Sequence, residues 1–136
     1  MKYYVVGFPI SLNNQVLLIK KNRPEWQKGR YNGIGGHIEK GETPLQCIIR
    51  ECKEETGLIT FEQDWINTVI YSGSDYIVHF YISRPINIKN YIQETDEWLK
   101  IFDISDIPNV DTIYNLKWII PLSLDISIQK PVFIKE

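Results

Sequence analysis

Residues 43–57 constrain this chain more than any other stretch. Thr43, Pro44 and Gln46 spell a helix start: Thr43 as N-cap, Pro44 at N1, and Gln46 at N3 completing a capping box. Gly57 is the C′ residue that stops the helix. Between them Leu45, Ile48, Ile49 and Cys52 recur at helical spacing and predict the buried stripe. Beside that stripe Glu51, Glu54 and Glu55 fall at i, i+3 and i+4 and share one face. Carboxylates this close repel one another and give up ionisation unless a cation sits among them. A solvated acidic face is the plain alternative. The glycine-rich entry Gly33-Ile34-Gly35-Gly36 and the embedded Arg50 favour the cation.

The wider stretch, Gly36 to Leu58, reads GHIEKGETPLQCIIRECKEETGL. Gly36, Glu42, Arg50, Glu51, Cys52, Glu54, Glu55, Gly57 and Leu58 resemble the Nudix box without a gap, with Cys52 in a position usually aliphatic. A buried thiol behaves much like a small apolar side chain there. The resemblance implies a hydrolase of phosphoanhydride bonds that uses Mg²⁺, with Mn²⁺ an equal fit to oxygen ligands. It implies metal ligation by Gly36 (through its carbonyl), Glu51, Glu54 and Glu55. Arg50 and Glu42 would orient those carboxylates.

The rest of the chain suits one domain, residues 1–136, around one core. Tyr3 to Leu12 and Gln15 to Lys20 read as strands joined by a hairpin turn at Asn13-Asn14. Residues 21–36 read as a loop. Residues 59–71 and 76–84 form a second strand pair around Ser72-Gly73-Ser74-Asp75, and Trp98 to Phe102 is a shorter strand. A second helix is expected from Thr112 towards Leu124, interrupted near Pro121. Pro131 to Lys135 closes the series as a strand. This order resembles the Nudix α/β/α sandwich, an α/β fold with a mixed sheet between helices.

Composition narrows the function class. The chain is 43% hydrophobic and 24% charged, with no apolar run near the ~20 residues a membrane helix needs. No signal peptide is apparent, so the cytoplasm is the expected compartment and no membrane partner is expected. A net charge of −2 argues against a stable nucleic-acid partner, though not against an anionic nucleotide met by bound cations. Cys47 and Cys52 lie on one helix, on different faces, and exclude a mutual disulfide. His37 and His79 have no partners at ligand spacing. Monomer and homodimer both remain open.

Two positions compete as general base. Glu55 is one. Glu97, in Glu94-Thr95-Asp96-Glu97, resembles the last Glu of a stretch that reaches the metal in Nudix triphosphatases acting on oxidised purines. By that resemblance Glu97 is a further metal ligand and, with Glu54, Glu55 and Arg50, part of the catalytic set. The MutT-like branch also resembles this chain around Tyr31-Asn32 and around Asn115 to Leu122. Asn32 would then hydrogen-bond a base, Asn115 would do so with altered demand, and Tyr31 and Trp118 would stack on it. Relatives specialised for oxidised purines carry two adjacent acids where this chain has Tyr114-Asn115.

Lys21 and Arg23 would draw phosphates inward. The leading expectation is a nucleoside triphosphate pyrophosphohydrolase, with 8-oxo-dGTP first among substrates. Dinucleoside polyphosphates (Tyr76 lies near a tyrosine of those members), ADP-ribose, nucleotide sugars, RNA 5′ ends and a non-cleaving nucleotide sensor are the alternatives. The aromatic side chains on strands, Tyr76 and Phe80 included, are expected to be core.

Overall fold

The capping signals around Thr43 and Gly57 are realised. In a computed structural model describing residues 1–136, helix α1 spans Pro44–Thr56. Gln46 N–H donates to Thr43 Oγ1 at 3.1 Å, Thr43 N–H donates to Gln46 Oε1 at 2.9 Å, and Gly57 takes a left-handed φ of 74°. The buried stripe is rotated from the expected line. Cys47, Ile48, Cys52 and Thr56 are buried, whereas Leu45 and Ile49 are only partly so. Small polar groups go inside because partners await them: Cys47 Sγ donates to the His37 carbonyl at 3.3 Å, and the Thr56 hydroxyl donates back to the Cys52 carbonyl.

The strands are β1 (Lys2–Phe8), β2 (Gln15–Lys20), β3 (Tyr31–Asn32), β4 (Ile34–His37), β5 (Trp65–Ser72), β6 (Tyr76–Ser83), β7 (Leu99–Asp103) and β8 (Val132–Lys135). They divide into two sheets, β4-β1-β6-β5-β8 and β3-β2-β7, where one mixed sheet was expected. The larger sheet is mixed: β1 runs parallel to β6 and β5 parallel to β8. The first hairpin is therefore only a corner. Asn14 does take the positive φ, 58°, but Ile10 and Val16 alone bridge, and β2 leaves to pair with β7. Pro9, lacking an N–H, ends the β1 ladder at Phe8.

Three further boundaries move. The expected loop 21–36 holds β3 and β4, and β4 pairs antiparallel with β1. Strand β5 starts at Trp65, because Asp64 accepts the Phe61 N–H at 2.8 Å and closes a turn first. Helix α2 spans Leu116–Leu124, starting later than Thr112, which instead bridges Tyr31. It runs through Pro121 without interruption. The carbonyl this proline leaves free belongs to Lys117, which is exposed and open to water.

The helices cover opposite faces of the larger sheet. On one side α1 packs with Val5, Ile34, Trp65 and Tyr81; on the other α2 packs with Phe8, Val69 and Phe80. Strand β2 serves both cores by alternation, Val16 and Leu18 to one and Leu17 and Ile19 to the other. This is the α/β architecture expected. No helix is long and apolar enough to cross a membrane.

Gly35 carries the sheet into the site. A Cβ there would lie 1.9 Å from the Val5 carbonyl oxygen, which is backbone and cannot turn aside. Gly35→Ala is expected to cost about 3 kcal/mol, at the upper end for overpacking. A urea midpoint unchanged from wild type would contradict that close β1–β4 approach.

Candidate active site

Strand β4 lays Gly35 and Gly36 against the acidic face of α1. A Cβ on Gly36 would sit 2.7 Å from Glu51 Oε1, so only glycine leaves room for the carboxylate. The Gly35 N–H donates to Glu55 Oε1 at 3.1 Å. Glu51 and Glu55, four residues apart, thus lie side by side under the strand.

Arg50 organises the rest. Its Nε donates to Glu42 Oε2 at 2.7 Å and its Nη2 to Glu42 Oε1 at 2.9 Å, a two-pronged pair. Its Nη1 reaches Glu51 Oε1 at 3.0 Å and Glu54 Oε2 at 3.2 Å, and Nη2 also reaches the His37 carbonyl at 3.2 Å. The guanidinium holds the Glu42 carboxyl down at about 2. The pairing of Glu42 with Arg50 is as the sequence suggested.

Glu51 and Glu55 shift the other way from Glu42. Burial pushes the Glu55 carboxyl up to about 8, with the neighbouring Glu51 adding to the rise and Lys21 and the Gly35 N–H working against it. Glu51 is raised too, again chiefly by burial, while its hydrogen bonds to Glu55 and Arg50 pull the other way. Two partly buried acids side by side, both reluctant to ionise, are a donor set that a cation would stabilise. Their oxygens and the Gly36 cradle fit a hard divalent ion. Glu54 stands apart, 57% exposed on Arg50, and no three acidic, histidine or cysteine side chains close around one point.

Glu97 is buried, and both its oxygens are engaged. Lys21 Nζ donates to Oε1 at 3.1 Å and the Asn22 N–H donates to Oε2 at 2.6 Å. Arg23 pairs with Asp96 at 2.7 Å. Lys21 and Arg23, read as phosphate-drawing groups, thus anchor the 21–23 segment to the segment before β7. Lys21 still lines the cleft; Arg23 does not.

A cleft of about 550 Å³ runs from Gly35 and Gly36 to an aromatic and amide end. Asn32 and Asn115 both line it, as expected of base-contacting residues. Asn32 is held by Gln27, its Nδ2 donating to Oε1 at 3.1 Å, and Asn115 Oδ1 is buried with no partner. Tyr31 and Trp118 do not line the cleft. Tyr31 packs edge-on against Phe102 at 4.9 Å, because its neighbours Asp111 and Ile113 tie its backbone to the α2 approach. Trp118 lies on the outer side of Tyr71, ring centroids 6.3 Å apart. The aromatic lining comes instead from Tyr4, Trp26, Tyr71, Tyr76, Phe80 and Tyr114. Phe80 is core, as expected of a strand aromatic, and touches the cleft from beneath; Tyr76 is only partly buried against that core and faces the cleft, beside β1 through the long-range β1–β6 pairing.

A NUDIX domain model matches residues 2–119. The chain is 28% identical to a methanol dehydrogenase activator from Bacillus methanolicus over 68% of its own length and 51% of that protein. It is 43% identical to an ADP-ribose pyrophosphatase from Methanocaldococcus jannaschii over 48% of its length and 37% of that protein. It is 34% identical to an oxidized purine nucleoside triphosphate hydrolase from Danio rerio over 69% of its length and 62% of that protein. The chain therefore spans about half the length of these relatives. A mutator MutT protein from Bacillus halodurans superposes with a TM-score of 0.76 at 18% identity, over 98% of this chain and 87% of the other.

Proposed function

The chain belongs to the NUDIX domain family, and on that premise we propose that it hydrolyses phosphoanhydride bonds of nucleotides with a divalent metal. Nucleoside triphosphates giving monophosphate and pyrophosphate are the leading substrates, 8-oxo-dGTP first. The observation that carries this reading is the partly buried Glu51–Glu55 pair packed against Gly35 and Gly36, two glycines that line one end of a cleft whose other end is aromatic and amide-lined. One end suits a metal diphosphate and the other a base.

Glu51 and Glu55 would hold Mg²⁺ or Mn²⁺, with Glu54 and the Gly36 carbonyl completing the set. A divalent ion held there would neutralise phosphate charge and acidify an attacking water. Arg50 keeps Glu51 and Glu54 aimed at the site. Glu55 takes the proton released. Glu97 acts here by holding Lys21 at the cleft, and a metal or base role would require Lys21 to release it. Asn115 Oδ1, an acceptor without a donor, is matched by a base presenting an N–H.

Arg50→Lys is expected to lower kcat/KM 10- to 100-fold, because an ammonium cannot fork to Glu42 while reaching Glu51 and Glu54. Kinetics within threefold of wild type would remove Arg50 from the site. ADP-ribose is the second reading, favoured by the resemblance to the Methanocaldococcus protein. Measuring kcat/KM for 8-oxo-dGTP, the canonical triphosphates and ADP-ribose separates the two. A triphosphate at least tenfold ahead supports the first; ADP-ribose ahead replaces it with the second.

A further inference from the structure

Behind the aromatic wall of the cleft lies a carboxylate that no catalytic step uses. Tyr71 Oη donates to Glu136 Oε2 at 3.1 Å, and Tyr76 Oη donates to the same oxygen at 2.7 Å. Tyr71 and Tyr76 line the cleft; Glu136 does not. One anchor point for two hydroxyls keeps the rings nearly parallel, 10° apart with centroids at 6.4 Å. The polar ends of both phenols are consumed there, so the cleft meets ring carbon.

Tyr76 is also fixed from below. A Cβ on Gly73 would lie 2.3 Å from Tyr76 Cε1 and 2.5 Å from its Cζ, so the ring rests on the bare glycine of the β5–β6 turn. Tyr71 is buried, with Trp118 on its outer side. Tyr76 is the partly exposed ring of the pair. A ring held at its hydroxyl, its edge and its neighbour has its conformational entropy removed before any ligand arrives.

We propose that Glu136 and Gly73 are positioning residues for a tyrosine wall that stacks a planar base in the cleft, with Tyr76 the contacting ring. The inference rests on the nucleotide reading above and names its base subsite. Stacking tolerates any π-face, so this wall supplies affinity for bases in general and leaves discrimination to the amides Asn32 and Asn115.

The test compares wild type with Glu136→Ala, Glu136→Gln and Gly73→Ala, following tryptophan fluorescence. The probes are adenosine and guanosine 5′-monophosphate, and inorganic pyrophosphate, each with Mg²⁺. Glu136→Ala and Gly73→Ala are expected to weaken both monophosphates about tenfold and to leave pyrophosphate unchanged. Glu136→Gln, which keeps an acceptor oxygen, recovers most of the loss. The carboxylate beside it also pushes the Tyr76 phenol up to about 12. Alkaline absorbance titration of both Glu136 variants is therefore expected to show a tyrosine ionising nearer the ordinary 10.

Monophosphate binding equal to wild type in Glu136→Ala, or equal loss of pyrophosphate, overturns the proposal. If Glu136→Ala does not fold, Glu136→Gln titration and Gly73→Ala binding decide it alone. The pattern present in a protein that cleaves no triphosphate keeps this inference and overturns the hydrolytic reading. A wild type that binds neither monophosphate overturns the inference itself.

Discussion

Glu55→Gln is expected to lower kcat on the order of 10³-fold, within the range for losing a general base, while KM changes little. The amide keeps an acceptor for the Gly35 N–H, so the β4–α1 contact that Glu55 makes at 3.1 Å survives. What is lost is the charge that a metal and a released proton both need. Steady-state kinetics in Mg²⁺ reads the effect, with urea unfolding as the check that the fold stands. A variant retaining more than a tenth of wild-type kcat would take Glu55 out of the chemistry and return the base role to Glu97.

The metal-free protein is expected to lose stability as pH rises from 4.5 to about 8. The Glu55 carboxyl, ordinarily at 4.5, is pushed up to about 8 by burial, so the folded state holds this proton more tightly than the unfolded chain does. Its contribution is fully present below 4.5 and is lost as pH climbs through the folded value. Glu51 is shifted in the same direction and adds to the slope. The Glu55 shift sets a ceiling of about 5 kcal/mol on that loss, and the partial exposure of the pair reduces it. Mg²⁺ reverses it, because binding strengthens as its ligands deprotonate. Urea midpoints in chelator against pH, with and without Mg²⁺, measure both effects, and Glu55→Gln should flatten the chelator curve. A wild-type curve already flat would mean these two acids are not buried together.

Local signals in the sequence were legible because their physics is local. The Thr43 cap, the Gly57 stop, the positive φ at Asn14 and the side-by-side placement of Glu51 and Glu55 all rest on contacts within a few residues. The Arg50–Glu42 pair is nearly as local, eight residues apart. Strand β4 was hidden because Gly35 and Gly36 carry no strand propensity; they are there for Val5 and Glu51, contacts the local sequence does not announce. The division into two sheets follows from β2 choosing β7, which a short turn at Asn13-Asn14 seemed to forbid. Lys21 and Arg23 read as free cations until Glu97 and Asp96, more than seventy residues away, took them. Tyr31 and Trp118 were aromatic in the right neighbourhood but face Phe102 and the outside of Tyr71. The base end of the cleft is built from β1, β6 and the approach to α2, and its aromatic wall was visible only once those elements were together.

The most direct measurement is product analysis of nucleotides incubated with Mg²⁺, comparing wild type with Glu54→Gln and with wild type in chelator. Monophosphate and pyrophosphate from a nucleoside triphosphate, in wild type with metal and in neither control, is the expected result. Monophosphate release unaffected by chelator and by Glu54→Gln, or no cleavage of any triphosphate or dinucleotide, would contradict it.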